Sequence, residues 1–326
     1  LLRERQVLAV VGPGGVGKTP LSAALALEAA EHRDTLVVTI DPAKRLASAL
    51  SLELGHEVSH VKPGLDAVMV DTKQALDDLI MEYAPSPEKL HNIFDSPLYQ
   101  QLSSALVGSE EFAAMGLLHE FHQPGDYDLI IVDTPPSKHA VDFLTVNKRL
   151  MRVFESGLTQ FLFKPGKLFS MAGGRMAKVL SRWTSREYLD TLSDFLIHFE
   201  EMFYEMQGRV EAMEDLLETP SRTGYAVVSA PGVGPAREAI QLSQEVIDLG
   251  LNIDVTLANR VYPPVGPGTP DQEAASLLEH YARLAKDHQE GMRQLTETIA
   301  PTIAVPALAD VVGIQGLERL RPYLTP

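Results

Sequence analysis

Eight residues near the start of the chain, at positions 12–19, have the types and spacing of a phosphate-binding loop. Their sequence, Gly-Pro-Gly-Gly-Val-Gly-Lys-Thr, fits the pattern G-x-x-x-x-G-K-[ST]. The glycines let backbone N–H groups turn towards the β- and γ-phosphates of a nucleotide, Lys18 adds a positive charge, and the Thr19 hydroxyl is a ligand for Mg²⁺. The helix that follows adds the positive end of its dipole. This stretch therefore predicts a nucleotide-binding site.

The same loop has a second interpretation, a dinucleotide-binding turn. Gly12, Gly14 and Gly17 also satisfy the spacing G-x-G-x-x-G. The pair Lys18-Thr19 argues against this interpretation, because a dinucleotide-binding loop has no use for a cation and a hydroxyl at the start of its helix. The phosphate-binding loop is favoured.

Two aspartates that end apolar strands are candidates for the chemistry of hydrolysis. Asp41 and Asp133 each follow a predicted strand, and ligands of open α/β sheets bind at the carboxyl ends of strands. An apolar run ending in Asp downstream of a phosphate-binding loop is the Walker-B pattern, whose carboxylate supports the Mg²⁺ shell beside Thr19. For Asp41, a simple turn or helix N-cap is the alternative.

Apolar runs alternate with helical patterns along the chain, which predicts a mostly parallel, doubly wound α/β sheet. The predicted strands are 7–11, 35–40, 66–70, 127–133, 224–230, 253–258 and 302–305. The predicted helices between them are 18–33, 235–249, 271–295 and 316–320. We expect residues 1–326 to form a single P-loop domain, with a helical subdomain built from inserts at about 75–123 and 148–217.

The composition excludes several classes of function. The net charge of −16 argues against nucleic acid as a partner, because nucleic-acid binding needs a clustered positive face. The chain has no cysteine, which excludes disulfides, thiolate metal sites and thiol catalysis and favours a cytoplasmic location. No apolar run approaches the ~20 residues of a membrane span.

Residues 148–186 differ from the rest of this acidic chain in their charge. They contain nine lysines and arginines against one acid, Glu155, and these cations alternate with apolar residues. Broken basic amphipathic helices of this kind suit an apolar helix client or an anionic membrane surface. The alternative is that the apolar residues form the core of a helical subdomain.

Five motifs in a fixed order give the chain a resemblance to a known family. The phosphate-binding loop is followed by Asp41-Pro42-Ala43, Asp133-Thr134-Pro135-Pro136, Asn259-Arg260-Val261 and Val305-Pro306-Ala307-Leu308-Ala309. This order resembles that of the arsenite-pump and tail-anchored-protein-targeting ATPases, which belong to the deviant Walker-A class. The bacterial anion-transporting branch is the most similar. The resemblance covers nearly the whole chain and implies an Mg²⁺-dependent ATPase with a P-loop NTPase fold.

The resemblance also implies roles for single residues. Lys18 and Asp41 are then catalytic, with Asp41 activating the attacking water, and Asn259 contacts the adenine. The residues expected to contact the nucleotide (ATP or ADP) are Gly14, Gly15, Val16, Gly17, Lys18, Thr19, Pro20, Asn259, Arg260, Pro306 and Leu308. Thr19 is expected to bind Mg²⁺ directly, and Asp133 to support it from the second shell. Family members work as dimers that face each other across their nucleotides, and their helical subdomain binds an apolar client.

This sequence departs from the family pattern at two loop positions. The family's signature lysine, which reaches the partner's phosphates across the dimer, is replaced by Pro13. Losing a positioned cation of this kind can cost on the order of 10³-fold in rate. Lys44 and Arg45 are candidate substitutes. Pro20 lacks the N–H that approaches the α-phosphate, so we expect weaker nucleotide binding.

Three functions are compatible with these residues. The first is an ATP-hydrolysing dimeric switch that couples its nucleotide state to an apolar client or membrane partner. The second, motivated by Pro13, is the catalytically weak subunit of a heterodimer whose other subunit carries the signature lysine. The third is a protein that binds a membrane surface or a partner helix through residues 148–186, with ATP as a structural ligand. We expect the chain to be cytoplasmic, with a peripheral place at the membrane if its partner is a membrane surface. Arsenite transport is unsupported, because the chain lacks cysteine.

Overall fold

A computed structural model of the chain describes residues 1–40, 44–71, 74, 110–122, 126–136, 140–146, 148, 207–262, 272–299, 301–309 and 311–324. The strands are β1 (Val7–Val11), β2 (Thr35–Thr39), β3 (Ser59–Lys62), β4 (Leu65–Met69), β5 (Leu129–Asp133), β6 (Thr223–Ser229), β7 (Ile253–Val261) and β8 (Thr302–Pro306). The helices are α1 (Lys18–Ala29), α2 (Arg45–Leu50), α3 (Glu110–Phe121), α4 (Val233–Asp248), α5 (Gln272–Thr298) and α6 (Gly313–Glu318). A 3₁₀ turn at Arg321–Tyr323 follows α6, and residues 140–146 and 207–218 are also helical.

The eight strands form one sheet in the order β3-β4-β2-β5-β1-β6-β7-β8. Neighbouring strands are parallel except for the antiparallel pair β3 and β4. Strands β1, β2, β5 and β6 are buried along their whole length, as expected of central parallel strands covered on both faces. The mostly parallel α/β fold predicted from the sequence is confirmed.

The parallel strands bring the sequence motifs to one edge of the sheet. Strand β1 lies in the middle of the sheet between β5 and β6, and the loop at residues 12–17 follows its carboxyl end. Asp133 ends β5, and Asn259 and Arg260 lie near the end of β7. Parallel neighbours share the direction of their carboxyl ends, so these residues meet at the edge where open α/β sheets bind ligands.

Helix α1 is held against the sheet along almost its whole length. Ten of its twelve residues are buried, and the seven apolar ones among them are all alanine or leucine. These seven belong to an apolar core that also includes residues of β1, β5, β6 and β7. Because α1 begins at Lys18, this packing fixes the position of the first helical turn, which carries Lys18 and Thr19.

Several elements differ from the sequence prediction. Strand β7 continues to Val261, past the predicted end at 258. Helix α2 and strand β3 were not predicted, and the four residues of β3 contain no apolar run. Helix α4 begins at Val233, so Pro235 is its third residue, a position that still lies in the first turn, where the N–H groups have no partner within the helix. Helix α6 begins at Gly313, before the predicted start at 316.

The chain divides into two compact units. The first consists of Leu1–Asp71, Glu120–Leu144 and Leu216–Pro326 and contains all eight strands. The second consists of Thr72–His119 and Thr145–Asp215. Residues 149–186, the greater part of the basic segment, lie outside the described residues. That the inserts bind a client stays a prediction.

The helices of the described part of the chain were compared with the length and hydropathy of a bilayer span. None of them is long and apolar enough to cross a membrane.

Candidate nucleotide-binding site

Glycines shape the loop between β1 and α1. Gly15 and Gly17 have φ angles of 75° and 94°, in the left-handed region that side chains disfavour. A Cβ atom on Gly17 would also collide with the side-chain amide of Asn259. A Cβ on Gly12 would collide with the backbone carbonyl of Val228. The loop can therefore follow this path only with glycine at positions 12 and 17.

Lys18 folds back along the loop that it follows. Its side chain is buried, and Nζ donates hydrogen bonds of 3.0 Å to the carbonyl oxygens of both Gly12 and Pro13. This contact holds a positive charge against the loop backbone. A charge in this position fits the phosphate-binding role that the sequence predicts for Lys18.

Three hydroxyl groups converge on Asp133, which is fully buried. Thr19 and Thr39 donate hydrogen bonds to its Oδ2 at 2.7 and 3.1 Å, and Ser22 donates to its Oδ1 at 3.2 Å. Burial raises the pKa of Asp133 to about 6, although the hydrogen bond from Thr19, the charge of Lys18 and the other two hydroxyls lower it. The structure thus brings Thr19 and Asp133 into direct contact.

The donor set at this point fits Mg²⁺, which binds oxygen ligands. That Thr19 binds Mg²⁺ directly and Asp133 supports it from behind stays a prediction. Ser22 and Thr39 were not predicted. Ser22 lies one helical turn after Thr19, and Thr39 is paired with Asp133 in the register of β2 and β5, which the sequence does not reveal.

Asn259 and Arg260, two consecutive residues of β7, both reach the phosphate-binding loop. The Asn259 side chain is buried, and its Nδ2 donates a hydrogen bond of 2.9 Å to the Val16 carbonyl oxygen. The Arg260 side chain is exposed, and its Nη1 lies 3.5 Å from the Gly15 carbonyl oxygen. The family resemblance implies that Asn259 and Arg260 contact the nucleotide. In the structure both side chains lie against the phosphate-binding loop, and their contact with a nucleotide stays a prediction.

The other predicted contact residues lie nearby in the chain or on the same edge of the sheet. Pro306 ends β8 and is half-buried, and the N–H of Ala307 after it donates a hydrogen bond of 3.0 Å to the Val261 carbonyl oxygen. Leu308 is partly buried against the apolar core that includes α1. Gly14 is exposed on the loop, and Pro20 is the third residue of α1.

Asp41, the predicted catalytic aspartate, lies outside the described residues, and its role stays a prediction. Lys44 and Arg45, the candidate substitutes for the missing lysine, lie at the start of α2. Lys44 is exposed with a φ angle of 52°, and its carbonyl oxygen accepts a hydrogen bond from the backbone N–H of Ser48.

A central phosphate-binding loop on a parallel sheet, a lysine held against it and a threonine bonded to a strand-end aspartate define a P-loop NTPase. The sequence profile of the family described as Anion-transporting ATPase matches residues 5–325. The chain belongs to this family and is an ATPase.

Relatives with related names match most of the chain. A protein of Aquifex aeolicus, named as a candidate arsenical pump-driving ATPase, is 25% identical over 97% of this chain and 77% of its own length. The ATPase GET3 of Malassezia globosa is 24% identical over 96% of this chain and 88% of its own length. An ATPase ASNA1 homolog of Entamoeba histolytica is 25% identical over 78% of this chain and 76% of its own length. The family expected from the order of the motifs is thus confirmed.

Proposed function

We propose that this ATPase is an Mg²⁺-dependent dimeric switch whose nucleotide state controls binding of an apolar client. The observation that carries the proposal is the hydrogen bond of 2.7 Å from Thr19 to Asp133. It joins the predicted Mg²⁺ ligand to the end of β5, and Thr134, the next residue, donates a hydrogen bond of 2.8 Å to the Val10 carbonyl oxygen in β1. The first turn of α1 is thereby connected to the residue that follows β5.

Different residues of the site would bind the phosphates and the Mg²⁺ of the substrate. Lys18 and the backbone N–H groups of residues 14–19 would hold the phosphates, and Thr19 would hold Mg²⁺ with Asp133 behind it. Bound Mg²⁺ supplies neutralisation of phosphate charge. Assignment of the attacking water to Asp41 rests on the family resemblance.

The dimer and the client are supported by the resemblance and by composition. The resemblance implies a dimer that faces itself across two nucleotides, and residues 148–186 combine cations with apolar residues in a way that suits an apolar helix or a membrane surface. We infer no arsenite binding, although one relative is named for an arsenical pump, because this chain has no cysteine.

Calorimetric titration with Mg²⁺-ATP and a phosphate-release assay test the enzyme directly. We expect the wild type to bind ATP and turn it over with Mg²⁺. Lys18→Ala should weaken binding, and Asp41→Asn should lower turnover while binding persists. Lys62→Ala, which removes the partner of Glu31 in a surface ion pair, is the control and should leave both unchanged. A wild type without ATP binding or Mg²⁺-dependent turnover would contradict the proposal.

A second candidate function is the weak subunit of a heterodimer, and Pro13 is the observation that favours it. Co-purification from the native source would then yield a related ATPase that carries the signature lysine. A homodimer with ordinary turnover would exclude this candidate.

Flotation with anionic liposomes, with and without ATP, tests whether the partner is a membrane surface. Absence of binding in both states would exclude that partner.

A further inference from the structure

The backbone of β7 is bent at Arg260 in a way that its sequence does not require. In a regular strand, consecutive side chains point to opposite faces, so Asn259 and Arg260 could not both reach one loop. Arg260 has a φ angle of 63°, in the left-handed region, and the pairing of β7 with β8 shifts its register at this point. This bend turns both side chains towards the phosphate-binding loop.

The left-handed conformation is unfavourable for arginine. In this region the Cβ atom of a residue crowds its own backbone, which glycine avoids. Strained residues of this kind concentrate at functional sites, where the surrounding structure maintains them. The hydrogen bond to the loop does not offset the strain by itself, because 3.5 Å from Nη1 to the Gly15 carbonyl oxygen is at the outer limit of such a bond.

The guanidinium of Arg260 lies over the loop with most of its donors available. It extends from Gly15 towards Gly17, where Nη2 would lie 3.9 Å from a Cβ atom placed on that glycine. Within the described part of the chain no carboxylate forms an ion pair with Arg260, although the chain carries 44 acids against 28 lysines and arginines. An exposed cation held over a phosphate-binding loop, with five N–H donors, is suited to an anionic ligand.

We propose that Arg260 binds the phosphates of the ATP held by its own chain. It supplies there the positive charge that the family's signature lysine would supply if Pro13 did not replace it. The proposal rests on the proposed function, since it names a residue of the same site. The side chain of Arg260 lies at the loop, and Lys44 and Arg45 stand at the start of α2. Arg260 is a phosphate-binding residue here, distinct from Asn259, whose amide bonds to Val16.

The electrostatic role has a signature that a structural role lacks. A cation on the phosphates contributes more to ATP than to ADP, and nothing to adenosine. A residue that only packs on the base contributes equally to all three ligands. A residue that only braces the loop contributes to stability without a dependence on ligand charge.

Calorimetric titration with a non-hydrolysable ATP analogue, ADP and adenosine tests the proposal in wild type, Arg260→Ala, Arg260→Lys and Arg260→Gly. We expect Arg260→Ala to weaken the ATP analogue about tenfold or more, ADP less and adenosine not at all. Arg260→Lys should retain most of the affinity, and the salt dependence of ATP binding should fall in the Ala and Gly variants. Equal losses for all three ligands, or no loss, would overturn the proposal.

Arg260→Gly separates binding from strain. Glycine adopts the left-handed conformation without penalty, so the variant should be at least as stable as Arg260→Ala in urea while losing the same ATP affinity. Ser51→Gly is the matched control, because Ser51 has a φ angle of 56° at the end of α2. It relieves similar strain and should leave ATP affinity unchanged.

Restoring a cation at position 13 tests whether the two sites share one role. Pro13→Lys should raise ATP affinity and turnover by a larger factor in the Arg260→Ala background than in the wild type. Equal factors in both backgrounds would show that the roles are separate.

The binding data also distinguish failure of this proposal from failure of the proposed function. If the wild type does not bind ATP, the proposed function fails. If the wild type binds ATP and Arg260→Ala binds it equally well, only the role of Arg260 fails.

Discussion

Thr19 and Asp133 are 114 positions apart in the sequence, and the Thr19 hydroxyl donates a hydrogen bond of 2.7 Å to Asp133 Oδ2. The bond joins the first turn of α1 to the end of β5. Ser22 and Thr39 complete a shell of hydroxyl donors around the same carboxylate. Burial of a carboxylate is unfavourable, and these donors partly compensate for the lost water.

Asp133→Asn will change the pH dependence of stability. The pKa of Asp133 is raised by burial from 3.8 to about 6, so the folded protein loses stability as the pH rises through this range. The asparagine variant has no such loss. In metal-free buffer, the unfolding free energy of wild type minus that of the variant should fall by about 2 kcal/mol between pH 4 and pH 7. Urea unfolding at several pH values measures it.

Ser22→Ala provides a second arm for this measurement. It removes one donor to the carboxylate, so the pKa of Asp133 should rise further and the loss of stability towards neutral pH should become larger. If the difference in unfolding free energy between the wild type and Asp133→Asn does not change with pH, the burial of an ionisable Asp133 is contradicted.

Most of the sheet could be predicted because its central strands are continuous apolar runs. Strands β1 and β5 lie in the sheet between helices, so both of their faces are apolar and their sequences stand out. Strand β3 lies at the edge of the sheet beside β4, and its four residues are half-buried or exposed. A short edge strand of this kind has no apolar run to reveal it.

The candidate site was predictable where one local motif defines it. Lys18 and Thr19 follow from the loop, and Asp133 follows from an apolar strand that ends in an acid. Thr39 joins Asp133 only through the pairing of β2 with β5, a long-range relationship. The bend at Arg260 is a backbone angle of a residue type that normally avoids it, so the residue type gave no signal.

Gly17→Ala should destabilise the chain by about 2–4 kcal/mol and abolish ATP binding. The φ angle of 94° is strained for alanine, and the new Cβ collides with the Asn259 side chain. Asn259→Ala should relieve the collision but not the strain, so the double variant should be more stable than the sum of the two single changes predicts. Urea unfolding of the three variants measures the coupling.

Gly12→Ala is the matched comparison for the coupling between Gly17→Ala and Asn259→Ala. Its Cβ collides with the backbone carbonyl of Val228, which no side-chain substitution can remove. We therefore expect a loss that Asn259→Ala does not relieve. If the losses of unfolding free energy caused by Gly17→Ala and Asn259→Ala are additive, as we expect for Gly12→Ala and Asn259→Ala, the close packing of Asn259 on the loop is contradicted.

Gly291→Ala should lower the free energy of unfolding by about 1–3 kcal/mol, against the preference of a helix for alanine. Gly291 is buried in α5, and a Cβ there would collide with the Pro231 carbonyl oxygen and lie within 2.9 Å of Gly232. The contact atoms are backbone, so relief requires α5 to move away from the start of α4. The overlap outweighs the ~1 kcal/mol that alanine gains in a helix interior.

Gly234→Ala is the control, because a Cβ there meets open space in the first turn of α4, and it should be neutral or stabilising. Neither change should alter ATP affinity, and a stabilised Gly291→Ala would show that α5 does not pack on residues 231–232.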